Sequence, residues 1–117
     1  MDAQIKKPIG KYIDAARTGA PGLMREAFIP EATVRGSYDG KPVDWTLQQF
    51  CDLIAKGGPA PDIEAQVAAI EVSGTAAMAR LEATNWRGTH YTDFFVLLRR
   101  DGEWRIASKV FFAHDRA

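Results

Sequence analysis

The spacing of apolar residues in the first half of the chain predicts three amphipathic helices. Their apolar positions recur at the i, i+3, i+4 and i+7 spacing of one helical face. These positions are Ile9, Tyr12, Ile13 and Ala16; Leu23, Met24, Ala27 and Phe28; and Leu47, Phe50, Cys51 and Ile54. Stop signals follow at Gly19, before Pro30 and at Gly57-Gly58. Three short helices are therefore expected before residue 60.

The start of the third helix has the clearest local signal. Thr46 and Gln49 have the spacing of a capping box, and Trp45 can pack against Phe50 across the helix start. Before it, residues 32–38 read as a short strand followed by an Asp-Gly turn.

The second half of the chain changes to the pattern of a sheet. Stretches rich in apolar and β-branched residues cover 63–72, 76–86, 90–100 and 103–112, and each is separated from the next by a short turn with glycine. Helices followed by such a meander are typical of an α+β domain in which helices cover one face of a curved antiparallel sheet. We expect residues 1–117 to form this single domain.

The turn at Asp101-Gly102 predicts the register of the last hairpin. A two-residue loop pairs Arg100 with Glu103 and places Asp93 opposite Val110. Opposed residues share a face, so one face is predicted to carry Tyr91, Asp93, Phe95, Leu97, Trp104, Ile106, Ser108, Val110 and Phe112. The other face would carry His90, Thr92, Phe94, Val96, Leu98, Arg105, Ala107, Lys109 and Phe111.

Both predicted faces are largely apolar, so both need a cover. The helices can cover one face, and a second copy of the chain is the economical cover for the outer face, which predicts a homodimer. In this arrangement Lys109 lies on the outer face, as an interface charge rather than a Schiff-base lysine. Arg80 and Glu82 are expected to form a solvated or interfacial ion pair.

Composition narrows the class of protein. Fifteen basic and fifteen acidic residues among 117 leave no net charge, which disfavours nucleic-acid binding. No apolar run is long enough for a membrane span or resembles a secretory signal, so a cytoplasmic protein is expected. The one cysteine, Cys51, reads as a buried structural thiol, and no metal or organic cofactor is expected.

In three stretches the chain resembles the nuclear-transport-factor-2-like superfamily, and most closely the small bacterial proteins named lumazine-binding or SnoaL-like. The stretches are KYIDAARTGAPGLMREAFIPEATVRG, ATNWRGTHYTDFF and LLRRDGEWRIASKVF, in that order. The resemblance implies a cone, in which three helices close the mouth of a bent antiparallel sheet around a mostly apolar pocket. It also implies a dimer through the outer sheet face.

Enzymes of that superfamily include ketosteroid isomerase, scytalone dehydratase, limonene epoxide hydrolase and polyketide cyclases. The resemblance to the isomerase places Tyr12 where its first helix presents an oxyanion-hole tyrosine. The isomerase's two aspartates, however, would fall at about Gly36 and Phe95, so the same chemistry is not expected. The overlay does turn Phe95, and by alternation Asp93, toward the pocket.

Asp93 is the first candidate for chemistry. A carboxylate among apolar residues either serves as an acid/base or ligand-anchoring group, or accepts hydrogen bonds from Tyr12, Ser108 or Trp86 as a structural acceptor. His90 is a weaker candidate, because the register puts it on the opposite face unless a bulge near residue 91 changes the alternation.

Two functions follow from this reading. In the first, the protein only binds a small apolar or aromatic molecule. In the second, it is a cofactor-free isomerase, dehydratase or cyclase with Asp93 as acid/base and Tyr12 as hydrogen-bond donor. In both, the candidate ligand-binding residues are Trp45, Trp86, Tyr91, Phe95, Ser108, Val110 and Phe112.

Overall fold

Three helices precede the long strands, as the sequence predicts. The computed structural model describes residues 2–114, with α1 at Asp2–Thr18, α2 at Pro21–Ala27 and α3 at Leu47–Gly57. Helix α1 begins earlier than its predicted apolar face, because Ile5 and Pro8 continue the buried side by one turn. None of the helices described has the length and hydrophobicity of a membrane-spanning segment.

Two local predictions at the helix ends have different outcomes. The capping box is confirmed: Thr46 Oγ1 accepts the Gln49 amide at 3.1 Å, and Gln49 Oε1 accepts the Thr46 amide at 2.9 Å. The placement of Phe28 on the second helix is wrong, because α2 ends at Ala27 and Phe28 begins the first strand. Pro30 disfavours helical backbone in the residue before it, so the chain becomes extended at this point.

In the part of the chain that the structure describes, six strands form one curved, mostly antiparallel sheet. They are β1 at Phe28–Tyr38, β2 at Lys41–Thr46, β3 at Glu64–Ser73, β4 at Ala76–Trp86, β5 at Thr89–Arg100 and β6 at Glu103–Ala113. Their order across the sheet is β2-β1-β6-β5-β4-β3. Neighbouring strands are antiparallel except β1 and β6, which are parallel and are separated in the chain by helix α3 and four strands.

The helices cover the inner face of this sheet. Inside the core, the ring of Phe28 of β1 makes edge contacts with Tyr12 of α1 and Phe50 of α3, whose own rings are stacked, and the ring centroids are 6.1 to 6.4 Å apart. On the outer face, four large apolar side chains remain about half exposed. These are Phe94, Val96, Val110 and Phe112.

The register of the last hairpin holds only near its turn. Arg100 pairs with Glu103 as predicted, but Val96 pairs with Ser108, so Ala107 has no partner in the ladder. This extra residue is a β-bulge, and it reverses the alternation of faces along the rest of β6.

The bulge corrects several predicted positions. Asp93 pairs with Phe111 rather than Val110, and Lys109 and Phe111 lie on the inner face. Val110 and Phe112 lie on the outer face instead of the inner one. The prediction that Lys109 is an outer, interfacial charge is therefore wrong: it is 2% exposed.

Candidate functional site

A buried triad joins one helix to two strands in the core. The Tyr12 hydroxyl of α1 donates a hydrogen bond to Asp93 Oδ2 of β5 at 3.0 Å. Lys109 Nζ of β6 donates to the same hydroxyl and lies 3.7 Å from Asp93 Oδ1. Tyr12 therefore accepts from a base and donates to an acid, which links the two ionisable groups through one hydroxyl.

The bulge in β6 is what assembles this triad. Lys109 is paired with Phe95 across β5 and β6, and Asp93 lies two residues away on the same face of β5. With an uninterrupted ladder, Lys109 would point to the opposite face from Asp93. Tyr12 is one of the hydrogen-bond partners predicted for Asp93, and this hydrogen bond is present. Ser108, another predicted partner, forms a hydrogen bond with Thr33 on the outer face instead.

Burial dominates the electrostatics of the triad. It raises the pKa of Asp93, and Lys109 and Tyr12 only partly oppose that effect. Burial likewise lowers the pKa of Lys109 against the opposing charge of Asp93. The pKa of Tyr12 is raised well above its ordinary value by burial and then by the neighbouring Asp93, so its hydroxyl keeps its proton. The shifts in the pKa values of Asp93 and Lys109 both favour a neutral acid and a neutral amine over a carboxylate and an ammonium.

Aromatic rings surround the Lys109 nitrogen. It lies 4.6 Å from the ring centroid of Phe50, 4.8 Å from those of Tyr12 and Phe111, and 5.7 Å from that of Trp86. Rings at these distances favour an ammonium form through their π-faces and also exclude water from the nitrogen. The amine is thus held in a water-poor site, where a ligand in the neighbouring cavity would change the balance between its charged and neutral forms.

A cavity of about 310 Å³ lies beside this nitrogen. Most of its wall is apolar or aromatic, and it opens between α3, the end of β4 and the inner face of the sheet. Its lining residues are Ala16, Tyr38, Trp45, Phe50, Leu53, Ile54, Gly58, Trp86, Arg87, Tyr91, Lys109 and Phe111. Lys109 is the member of the triad that reaches this wall, while Tyr12 and Asp93 lie behind it.

The rim of the cavity carries the guanidinium of Arg87. The Arg87 guanidinium donates to the carbonyl oxygens of Gly57 and Gly58, where α3 ends. Two peptide carbonyls at a helix C-terminus are favourable partners for a cation. Arg87 therefore ties the turn between β4 and β5 to α3 and fixes this side of the opening.

The predicted ligand-binding residues divide between the two faces. Trp45, Trp86 and Tyr91 line the cavity, and Phe95 is buried behind it with its ring 5.1 Å from that of Tyr12. The predicted inner positions of Ser108, Val110 and Phe112 are wrong, because the bulge at Ala107 turns these three side chains outward.

His90 lies on the outer face of the sheet, so it does not join Asp93 on the inner face. Its Nε2 is 2.8 Å from Glu82 Oε1, and its ring stacks on His114 at 4.0 Å between centroids. Thr92 connects the cluster, donating to Glu82 Oε1 at 2.6 Å and lying 2.9 Å from His114 Nε2. The ligand atoms of Glu82, His90 and His114 fall within 4.8 Å of one another, a proximity that the separation in sequence does not suggest.

The expected ion pair between Arg80 and Glu82 is present on the same outer face, at 2.7 Å. Burial raises the pKa of Glu82, but hydrogen bonds from Thr92, His90 and Arg80 outweigh it and lower that pKa to about 2. Glu82 therefore remains ionised as the acceptor at the centre of this cluster.

Sequence reasoning missed Lys109, Phe111 and Tyr38 as residues of the cavity. Both Phe111 and Phe112 are aromatic, so the pattern at the end of β6 is equally compatible with either alternation. The residue that decides between them is the small and unremarkable Ala107. A lysine within an otherwise apolar strand was the one available signal, and it is ambiguous without the bulge.

Comparisons with known proteins place the fold in a well-populated group. An NTF2-like protein of unknown function from Methylobacillus flagellatus is 33% identical, with a TM-score of 0.92 over 97% of this chain and 91% of that chain. Another from Shewanella baltica is also 33% identical, with a TM-score of 0.90 over 97% of this chain and 93% of that one. A protein named aldolase FrzH, from Cladobotryum sp., is 28% identical over 106 residues, which cover 90% of this chain and 85% of that protein.

The family model described as "Putative lumazine-binding" matches residues 1–112. This match covers all the helices and almost all of the sheet. The chain therefore belongs to this family, within the NTF2-like proteins.

Proposed function

We propose that the protein binds a small, flat and largely apolar carbonyl compound in the aromatic cavity and acts on it as a cofactor-free isomerase or lyase. The observation that carries this proposal is the triad of Tyr12, Asp93 and Lys109, whose amine reaches the cavity wall while the acid stays buried behind it. Groups whose pKa values are shifted by burial beside a cavity are typical of acid/base sites.

The volume and wall of the cavity define the kind of ligand. About 310 Å³ is at the small end of the range for ligand sites and suits a one- or two-ring molecule. Trp45 stacks on Phe111 with an angle of 19° between the rings, which gives a flat wall against which a planar ligand can lie. The family description names a planar, carbonyl-bearing bicycle, which has this shape.

The proposed reaction is removal and return of a proton next to a carbonyl group. This step uses the ionised form of the pair, which the aromatic rings around Lys109 support: the Asp93 carboxylate would take up and return the proton through Tyr12, and the Lys109 ammonium would hold the carbonyl oxygen or its enolate. The relative from Cladobotryum supports this class, because an aldolase makes or breaks a bond at the carbon beside a carbonyl.

Binding without turnover is the second candidate. It is favoured by the hydrogen bond between Tyr12 and Asp93, which already occupies both groups inside the core. A carboxylate satisfied in this way is a common structural feature of buried sites.

One probe separates these functions. Phenylacetone, an apolar aryl ketone with exchangeable protons, is titrated while the fluorescence of the tryptophans is followed, and its deuterium uptake in D₂O is measured by NMR. Saturable quenching together with accelerated exchange supports the enzyme, and quenching without exchange supports the binding protein. If the fluorescence of Trp45 and Trp86 does not respond to phenylacetone or to lumazine, the cavity is not a site for this class of ligand.

The Asp93→Asn variant identifies the proton carrier. We expect it to keep saturable binding and lose most of the accelerated exchange, because the amide has the same shape but takes up no proton. Glu26→Gln, which removes an exposed carboxylate outside the cavity, is the matched control. Exchange that persists unchanged in Asp93→Asn would remove Asp93 from the reaction.

We also propose that the outer face pairs two copies of the chain. Phe94 lies opposite Val110 across β5 and β6, and Val96 and Phe112 flank them, so that the four form one continuous apolar patch. A patch of this kind on the open side of a sheet favours self-association.

A further inference from the structure

We propose that the Lys109 nitrogen is a nucleophile that forms a Schiff base with an aldehyde or ketone in the cavity. The inference deepens the proposed function, on which it rests, by making the lysine a covalent partner of the substrate rather than a hydrogen-bond donor. It would turn the cavity into a site for enolisable carbonyl compounds, activated as enamines.

Lys109 has the position that such a nucleophile requires. Its side chain is almost fully buried and belongs to the cavity lining. Its nitrogen lies 4.6, 4.8 and 5.7 Å from the ring centroids of Phe50, Phe111 and Trp86, which line the same cavity. The other lysines of the chain, Lys6, Lys7, Lys11, Lys41 and Lys56, lie on the helices or on the β1–β2 hairpin, outside the lining of this cavity. Among residues 2–114, a carbonyl compound in the cavity therefore meets one amine.

The contacts of Lys109 are also fewer than those of a purely structural ammonium. Its nitrogen has three protons to donate when charged, and it makes one hydrogen bond, to the Tyr12 hydroxyl, within the part of the chain that the structure describes. Asp93 Oδ1, at 3.7 Å, is too far for a hydrogen bond and accepts none from the described residues. The two groups are thus close enough to exchange a proton through small movements without being locked as an ion pair.

When Lys109 and Asp93 are both neutral, they supply the nucleophilic amine and the acid that the reaction needs. Burial lowers the pKa of Lys109 and raises that of Asp93, so a proton held by the acid leaves a lone pair on the amine. The apolar surroundings also keep out water, which would otherwise compete with the amine for the carbonyl carbon.

The chemistry balances within the triad. The amine adds to the carbonyl carbon to form a C–N bond, while the carbonyl π electrons move to oxygen, which takes a proton delivered from Asp93 by way of Tyr12. The added nitrogen returns one proton to Asp93, and the same acid then protonates the hydroxyl group, which leaves as water. Amine, carbonyl and one proton thus give an iminium ion and one molecule of water.

The iminium ion makes the next step easier. Loss of a proton from the adjacent carbon to the Asp93 carboxylate, again through Tyr12, gives a neutral enamine. That carbon can then take back a proton or add to a second carbonyl group, and hydrolysis regenerates the free amine. The products are those of an isomerase or of an aldol-type lyase.

The test is reductive trapping in the wild-type protein. The protein is incubated with phenylacetone and sodium cyanoborohydride near neutral pH, and the labelled lysine is located by peptide mass spectrometry. We expect one reduced adduct, on Lys109, formed on the order of ten times faster than on any exposed lysine, because the neutral amine is the reactive form. Because the adduct is located in the wild-type protein, the result does not depend on whether a Lys109 variant folds.

A second measurement uses ¹⁸O-labelled phenylacetone, since each cycle of Schiff-base formation and hydrolysis exchanges the carbonyl oxygen with water. Loss of the label should be accelerated by wild type and by Lys11→Arg, and not by Lys109→Arg. Trapping that reaches only exposed lysines, or no lysine, overturns the proposal. Deuterium exchange that continues without trapping would leave the proposed acid/base function standing, whereas absence of binding and exchange would refute that function itself.

Discussion

Lys109 Nζ lies 3.7 Å from Asp93 Oδ1 inside the core, although the hairpin turn by itself would put these two side chains on opposite faces. Tyr12 contacts both groups and closes the triad. The proximity of Lys109 and Asp93 depends on the single bulged residue Ala107, so variants of the pair test both the described structure and the proposed chemistry.

A double-mutant cycle measures the coupling of the pair. We expect Asp93→Asn and Lys109→Met each to lower the free energy of unfolding by about 1–3 kcal/mol, because each leaves a buried polar partner unmatched. The double variant should be less destabilised than the sum of the two, by at least about 1 kcal/mol. Urea unfolding at neutral pH provides all four values.

The exposed pair of Glu103 and Arg105, 3.1 Å apart, is the matched control for this cycle. Ion pairs at the surface contribute about 0.5 kcal/mol or less. A coupling of Asp93 with Lys109 no larger than that of the control would contradict the arrangement described for the triad.

The pH dependence of stability should report on Glu82. Its pKa in the folded protein is about 2, below that of an ordinary glutamate, so the unfolded chain takes up the proton first as the pH falls. The contribution of ionised Glu82 to the free energy of unfolding is therefore complete above about pH 4.5 and is lost as the pH falls toward 2.

Glu82→Gln should flatten the acid limb of the stability curve in this window, and Glu71→Gln, on the exposed edge of β3, should leave it unchanged. Thermal unfolding followed by circular dichroism between pH 2 and 6 measures the difference. Equal curves for wild type and Glu82→Gln would argue against the cluster around this carboxylate.

Close packing of β1 against β6 gives a prediction at Gly36. A Cβ at this position would lie 2.3 Å from the Phe111 carbonyl oxygen and 2.6 Å from its ring, both too close. We expect Gly36→Ala to lower the free energy of unfolding by about 1–3 kcal/mol, the usual cost of overpacking.

Gly10→Ala offers the opposite outcome in the same chain, because apart from the neighbouring backbone of its own helix no atom of the described residues lies within 4 Å of the added carbon. Alanine there should stabilise the protein by about 0.5–1 kcal/mol. The two variants are compared by denaturant unfolding, and a neutral Gly36→Ala would show that β1 and β6 are less tightly packed than described.

The dimer proposed for the outer face predicts a change of molecular mass. Val96→Lys and Phe112→Glu place charges in the apolar patch and should convert a dimer into a monomer, as measured by light scattering after gel filtration. Gln4→Glu, which adds a charge to the exposed side of α1, is the control. A wild-type protein that is monomeric at all concentrations would refute this interface.

Local chemistry in the sequence determined the helices, the turns and the class of fold. The capping box at Thr46, the apolar faces of the helices and the glycine-containing turns act over a few residues, so each can be read without the rest of the chain. The direction of Asp93 was also correct, because the strand that carries it alternates without interruption from Asp93 to the hairpin turn.

The tertiary structure alone decided which basic side chain meets Asp93. A bulge at Ala107 has no short-range signature, since alanine fits either an ordinary or a bulged strand, and its effect is to exchange Lys109 and Phe111 for Val110 and Phe112 on the inner face. The pairing of β1 with β6 and the packing of α1 on the sheet are contacts between distant parts of the chain. Side-chain alternation was thus determined by sequence, but its phase beyond the bulge, and with it the candidate site, was fixed by the fold.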